Sequence, residues 1–379
     1  MTLTLPLRIL HVAQPTQTGL AIAVASLIAF QREQGIDARL AAPTGGLLRQ
    51  LADEAGIPFI EWQSVREPGL SVISEGRALQ RIIDQFDPDV VHLASSKAGL
   101  VGRLTLRGRR TTIFSPHGWS FFVPGRTRRL SLLWERLGAR WTHQFHVSCE
   151  EEAEAGRRRG IRGDYVWGLN SVDTDRFAHA TLEDHTRART ELGFTDGPSV
   201  VCVGRLCFQK GQKPLLAAWR RVVEQEPTAQ LYLVGDGEDE AELRAMDCPN
   251  VVFVGNRPDV ARWFAAADLV VQPSRYEALS LSVLEALSTG RSVVAFDALG
   301  MRTAIGPGCG AIVPIDDAEA LAAEILHRLH DPALREQEGR AGRQRMVDSF
   351  TASTVLATAT DHTLELVGTR GRADSRSSS

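Results

Sequence analysis

Apolar and polar residues follow two rhythms along this chain. Short, nearly continuous apolar runs bounded by glycine, proline or polar turns read as buried strands. Between them, apolar residues three and four apart read as amphipathic helices. Residues 7–13 form the first strand, followed by a polar loop to Gly19 and an apolar helix from 20 to about 33, which Gly35 stops. Further strands are predicted at 38–42, 57–62, 90–93, 111–114 and 144–147, with helices at 47–55, 76–86 and 150–159. The alternation resumes with strands at 199–203, 229–234, 251–254, 269–271 and 292–296. A helix opening at Pro214 carries Leu215, Leu216, Trp219, Val222 and Val223 at helical spacing, and another runs from about Ser280 to Gly290. After Asp317 the pattern is helical to about 367, broken near Asp331-Pro332 and Phe350. Strands that alternate with helices imply parallel sheets with crossover helices, an α/β class. In such sheets ligands gather at the carboxyl ends of the strands, so functional residues are expected in the loops that follow each strand.

At 379 residues the chain exceeds one ordinary core and suits two domains. The turn-rich stretch Gly168-Leu169-Asn170-Ser171-Val172-Asp173, with mostly polar residues after it to about His185, marks the boundary. The domains expected are 1–169 and 170–351, with a first helix of the second domain at 186–192 and a disordered tail at 370–379. An apolar content of 43% with 23% charged residues is that of a soluble globular protein. The net charge of −3 argues against nucleic acid as a partner. Five scattered cysteines without metal-ligand spacing suit reduced thiols, and no metal is expected. The first residues lack the pattern of a signal peptide, and no run reaches the roughly 18 apolar residues of a membrane helix. A cytoplasmic protein is expected.

Several post-strand loops carry candidate chemistry. The strand at 199–203 runs into Gly204-Arg205-Leu206-Cys207-Phe208-Gln209-Lys210-Gly211. Lys210 and Lys213 are two of only three lysines in the chain, the third being Lys97. Two fixed cations, Arg205 and Lys210, would stabilise a diphosphate leaving group as it gains charge; the bland alternative is two surface cations. Glu277 and Glu285 follow the strand at 269–271, and the helix start near 281–283 presents free N–H groups suited to a phosphate. A sugar or ribose would supply both acids with hydroxyl donors; otherwise they are solvated. In the first half, Gly19 allows close backbone approach or simply opens a helix. Ser95, Ser96 and Lys97 line one loop, where the serines could instead cap a helix. His117 and Trp119 lie in another, and a lone histidine there is more often structural. Gly235-Asp236-Gly237 lacks the remainder of a dinucleotide fingerprint and suffices as a turn, which weakens a dehydrogenase reading.

Two of these stretches resemble a known family. Glu277-Ala-Leu-Ser-Leu-Ser-Val-Leu-Glu285 resembles the Glu-x7-Glu signature of retaining nucleotide-sugar glycosyltransferases of family 4, and 204–211 resembles that family's GRLxxxKG loop. The 95–99 and 116–121 stretches (SSKAG and PHGWSF) resemble a branch that builds polysaccharides and other glycoconjugates. Ala94, Ser171, Ala278, Ser282 and Thr303 depart from the usual His, Gly, Gly, Pro and Glu. The resemblance implies a GT-B architecture of two doubly wound Rossmann-like domains facing an interdomain cleft, with the last helix, about 352–369, returning to the first domain. It implies metal-independent transfer of a hexose from a nucleotide diphosphate donor, a UDP-sugar first, to a hydroxyl of a glycan, a lipid-linked or phosphorylated acceptor, or a small molecule. No cofactor is implied. Catalytic residues would be His117, Arg205, Lys210 and Glu277. Donor contacts would add Gly19, Gly204, Arg257, Leu279, Ser280, Leu281 and Glu285; acceptor contacts would be Ser95, Ser96, Lys97 and Trp119. The rivals are a sugar-nucleotide epimerase of the same architecture and a non-catalytic sugar-nucleotide-binding protein.

Residues 103–140 hold nine arginines and one acid, Glu135, interleaved with Trp119, Phe121, Phe122, Leu132, Leu133 and Trp134. Such a basic, aromatic stretch suits peripheral contact with an anionic membrane, on its inner face, or a phosphorylated acceptor. The alternative is one solvated arginine face and one core face.

Overall fold

The computed structural model describes residues 6–65, 69–122, 125 and 128–377. The chain divides into two compact units, Met1–Ser171 with Ala352–Ser379, and Val172–Thr351. In the first, β1 (Arg8–Ala13), β2 (Asp37–Ala42), β3 (Phe59–Glu61), β4 (Val90–Ala94), β5 (Thr111–Ser115), β6 (Gln144–Val147) and β7 (Tyr165–Trp167) build one sheet. Its order is β3-β2-β1-β4-β5-β6-β7, with every pairing parallel. The crossovers are α1 (Thr18–Glu33), α2 (Leu47–Glu54), α3 (Ser71–Phe86), α4 (Ser96–Leu106), α5 (Arg128–Gly138) and α6 (Glu150–Arg158).

The second unit opens with α7 (Leu182–Leu192) and has strands β8 (Ser199–Val203), β9 (Gln230–Val234), β10 (Val251–Gly255), β11 (Leu269–Gln272), β12 (Val293–Phe296) and β13 (Gly310–Val313). These form a parallel sheet in the order β10-β9-β8-β11-β12-β13. Its remaining helices are α8 (Gln212–Gln225), α9 (Glu240–Ala245), α10 (Val260–Ala266), α11 (Leu281–Ser288), α12 (Met301–Ile305), α13 (Ala318–His330) and α14 (Pro332–Ser349). The final helix, α15 (Ala352–Ser377), belongs to the first unit, where Val355, Leu356 and Ala359 pack against Leu27 and Leu169.

Both sheets are doubly wound, and in each the strand order reverses beside the first strand, between β1 and β4 and between β8 and β11. Strands covered by helices on both faces read as nearly continuous apolar runs, and β4, β8 and β11 are buried at every position, with His92, Ser199 and Gln272 their polar members. The loops leaving these strands open at the two switch points, where ligands bind in open α/β sheets.

Some boundaries differ from the sequence expectation. Gly19 lies inside the first turn of α1 rather than in a loop before it. The stretch read as polar linker to His185 is already helix from Leu182, because Thr181 and Asp184 form a reciprocal capping box. Strand β7 is only three residues long, too short for a periodic signal. The backbone of α15 is helical through Ser377, past the boundary near 369, with no proline to stop it. No helix among the described residues is long and apolar enough to cross a membrane.

Two polar clusters sit inside the first unit. His11, His92 and His146 are buried on β1, β4 and β6, with ring centroids 5.0 and 5.4 Å apart along the row. Each ring shares a hydrogen bond with a neutral partner: Gln31 at 2.7 Å, Ser115 at 2.6 Å and Gln144 at 2.8 Å. Arg103, fully buried on α4, donates to Glu135 of α5 at 2.9 Å and to the Gly99 carbonyl at 2.8 Å, and lies over the Phe114 ring at 3.9 Å. Removing one member of such a pair leaves an uncompensated buried charge. Glu135→Leu is therefore expected to cost about 3–5 kcal/mol in urea unfolding of the purified protein. A loss below about 1 kcal/mol would show that the guanidinium finds water or another acceptor.

Candidate active site

In the second unit, Lys210 and Glu277 meet at the switch point between β8 and β11. The β8 strand ends in Gly204, and the loop after it turns through a short 3₁₀ segment, Phe208–Lys210, into α8. Gly211 has φ +70° and lies so close to β11 that a Cβ there would sit 1.9 Å from the Pro273 carbonyl oxygen. Only glycine allows that approach, and it delivers Lys210 directly to the loop after β11. The Lys210 ammonium pairs with the Glu277 carboxylate, which also accepts from Ser274 Oγ at 2.9 Å. Arg275 ties the same two loops together: its backbone N–H donates to the Gln209 carbonyl at 2.8 Å and its side chain to the Phe208 carbonyl at 2.9 Å. Arg205 is held differently. Its guanidinium is 37% exposed and its ion contact with Glu238 is a loose 3.9 Å, so its charge stays largely available.

Glu285 projects from α11 and is partly buried. Burial pushes its pKa up to about 7, while the charge of Arg176 pulls in the other direction. Ser280 occupies the N-cap position of the same helix without a side-chain capping bond, and its buried hydroxyl has no partner among the described residues. Leu279 is buried beside it and Leu281 begins the helix. Gly300, at φ +76°, packs against this loop so closely that a Cβ would stand 1.8 Å from the Ala278 carbonyl oxygen. Arg257 is exposed after β10.

In the first unit, Gly19 begins α1, and Ser95 and Ser96 stand where β4 passes into α4. Ser95 has φ +85° and its hydroxyl donates to the Gln14 carbonyl, joining the loops after β4 and β1. Lys97, expected among acceptor contacts, forms a buried ion pair with Glu75 of α3 at 2.7 Å. Glu75 also borders a cavity of about 320 Å³ lined by Pro43, Thr44, Glu61, Gln63 and Ser71. Trp119, expected beside it, is 1% exposed, stacks on Phe121 and donates its indole N–H to the Glu152 carbonyl at 2.8 Å. Its ring has no open face, because the aromatic cluster of Phe114, Phe121 and Phe145 surrounds it.

His117 and Gly118 form a turn with φ +49° and +95° after β5. Burial lowers the His117 pKa to about 4, so the imidazole is neutral at pH 7. Glu152 was not singled out from the sequence. Its fully buried carboxylate accepts from the Gly118 N–H at 2.6 Å and from the Ser148 N–H at 2.8 Å, clamping the His117 turn to the end of β6. Burial raises its pKa, and those N–H groups oppose the rise.

Residues 197–331 match the family described as glycosyl transferases group 1, and residues 18–166 match the glycosyl transferase 4-like domain. The chain is 36% identical over 306 residues to a GDP-mannose-dependent monoacylated alpha-(1-6)-phosphatidylinositol monomannoside mannosyltransferase of Corynebacterium glutamicum, covering 75% of this chain and 79% of that protein. It is 27% identical over 295 residues to the putative glycosyltransferase EpsD of Bacillus subtilis, covering 74% and 77% of the two chains. Among solved structures, Anabaena HepE in complex with UDP and glucose superposes with a TM-score of 0.81 at 20% identity, over 94% of this chain and 99% of that one. Sucrose-phosphate synthase from Thermosynechococcus elongatus superposes at 0.82 with 22% identity, over 96% and 100%.

Proposed function

The chain belongs to the group 1 glycosyl transferases and is a hexosyltransferase of GT-B fold, and from that premise we propose that it moves a mannose-type hexose from a nucleoside diphosphate to a hydroxyl, with retention at the anomeric carbon. The observation that carries this reading is the meeting of Lys210 with Glu277 at the ends of β8 and β11, with Arg205 on the same loop.

The acceptor oxygen forms its bond to the anomeric carbon as the bond from that carbon to the diphosphate oxygen breaks. The acceptor proton passes to the departing phosphate. Charge accumulates on the diphosphate, where Arg205 and Lys210 stabilise the transition state more than the ground state. The N–H groups that open α11 face the same anion. Glu277 orients the Lys210 ammonium and accepts from a sugar hydroxyl, while Glu285 accepts from the ribose. The neutral His117 contributes a hydrogen bond to the sugar, and Glu152 positions it by holding the Gly118 N–H. Gly19 lets backbone approach the diphosphate.

The donor base follows the sequence relatives. GDP-mannose is named for the relative at 36% identity, whereas the UDP-bound neighbour is 20% identical and speaks to the fold alone. GDP-mannose thus takes precedence over the uridine donor expected from the sequence. The test is incubation with GDP-mannose or UDP-glucose and a phosphatidylinositol mannoside, followed by NMR of the product. An α-linked mannoside supports the reading; a β-linkage overturns retention, and turnover of UDP-glucose alone overturns the donor.

Two further outcomes are expected. EDTA leaves the rate unchanged, because Arg205 and Lys210 supply the charge; a rate lost to EDTA and restored by Mg²⁺ would overturn that assignment. Glu285, with a pKa near 7, is partly protonated in slightly acidic solution and then accepts one hydrogen bond fewer. The donor KM should therefore rise as pH falls from about 8 to 6, approaching ten-fold per pH unit below the pKa, and Glu285→Gln should flatten that profile.

A further inference from the structure

Three leucines of α5 stand on the outside of the first unit: Leu130, Leu133 and Leu137 are 66%, 58% and 42% exposed. Spacings of three and four place them in one stripe along the helix. The inner stripe is already packed. Glu135 and Gly138 are buried, and Trp134 tilts against Trp141 with ring centroids 6.2 Å apart. The outer stripe is therefore a second apolar face, beyond what the core needs.

Arg128, Arg129, Arg136 and Arg140 border these leucines and are exposed. Arg128 and Arg136 donate to backbone carbonyls, of Phe121 at 3.1 Å and Arg159 at 2.6 Å, which leaves their charge uncompensated. The only acid in α5 is Glu135, and it is buried against Arg103. The helix thus presents leucine and arginine to solvent without an acidic side chain. This surface is narrower than the whole of 103–140. Trp119, Phe121 and Arg103 are interior, and Arg110 is paired with Asp87 at 2.7 Å.

We propose that this face of α5 docks on an anionic lipid bilayer, with the helix lying along the interface, its leucines among the acyl chains and its arginines at the lipid phosphates. A second copy of the chain suits the face poorly. A two-fold contact would set the arginines of one protomer against those of the other, and like charges suppress such pairing. A neutral bilayer would use the leucines and leave the arginines without a role. The proposal does not depend on which donor or acceptor the enzyme uses.

The test is co-sedimentation of the full chain with phosphatidylcholine vesicles, with and without phosphatidylglycerol, at rising NaCl. Wild-type protein is expected to bind the phosphatidylglycerol vesicles and to be released by salt. One arginine near such a surface is worth about five-fold in partition, so Arg129→Gln with Arg140→Gln should weaken binding about 25-fold. Leu133→Ser with Leu137→Ser should weaken it at least about ten-fold, while Leu133→Phe should bind as wild type does. Donor turnover in solution should be retained by every variant, which certifies the fold. Equal binding to both vesicle types, no binding by wild type, or wild-type binding by the substituted proteins would overturn the proposal. So would a dimer in sedimentation equilibrium that Leu133→Ser dissociates without any vesicle binding.

Discussion

Lys210→Ala is expected to lower kcat by roughly 10²–10³, as for the loss of one group aimed at developing charge. That range corresponds to about 2.7–4 kcal/mol. It agrees with the attraction between unit charges some 4 Å apart near a protein surface, about 4 kcal/mol. The substitution also releases Glu277, whose carboxylate loses its pairing ammonium and keeps the Ser274 hydroxyl as its hydrogen-bond donor among the described residues. An unpaired acid near the diphosphate repels it, so the donor KM should rise with the fall in kcat. Lys210→Ala with Glu277→Gln should then recover part of the KM and little of the kcat. Steady-state kinetics on the purified variants, with unfolding curves to confirm the fold, separate the two effects. Wild-type turnover by Lys210→Ala would remove this residue from the chemistry.

The second large effect is acid lability of the first unit. Burial lowers the pKa of His11 to about 4 and of His146 to about 3, and holds His92 well below its usual value, with the neighbouring histidines adding to the shift. All three are neutral in the folded chain at pH 7, whereas in the unfolded chain they titrate near 6.5. Between these values the unfolded state binds more protons. The stabilisation is therefore complete above about pH 6.5 and is lost as pH falls toward 4. Each such histidine removes about 1.4 kcal/mol per pH unit within that window, so three remove roughly 4 kcal/mol per unit, against a typical total of about 5–15 kcal/mol. The buried carboxyls of Glu135 and Glu152, whose pKa values are raised, act in the opposite direction. The discriminating measurement is consequently His146→Phe, which should reduce the slope of stability between pH 6.5 and 5 by about 1.4 kcal/mol per unit. An unchanged slope would mean that His146 protonates in place.

Most of the strands and crossover helices were legible because buried parallel strands leave continuous apolar runs, and the post-strand loops therefore pointed to 204–211 and 277–285. The pairing of Lys210 with Glu277 was not legible as a contact, since 67 residues separate them. It exists because Gly211 lets one loop touch Pro273 of the other. Glu152 carried no local signal at all: it reads as one of three acids in the first turn of α6, and only the fold brings it to Gly118. Trp119 and Lys97 show how local sequence leaves out the surroundings of a side chain. An aromatic or a lysine in a polar loop invites a ligand reading, but here Phe114, Phe121 and Phe145 enclose the first and Glu75 neutralises the second. Helix α7 was placed late because a capping box is polar by construction and resembles linker.

The return of α15 to the first unit has a consequence for synthesis. Chains leave the ribosome amino end first, and domains tend to fold in that order. Residues 6–171 can assemble their sheet early, yet Leu27 and Leu169 wait for Val355, Leu356 and Ala359, which emerge only after all of 172–351. Through that interval the nascent protein carries an open greasy seam, and a gene cut just before codon 352 would leave it so for good.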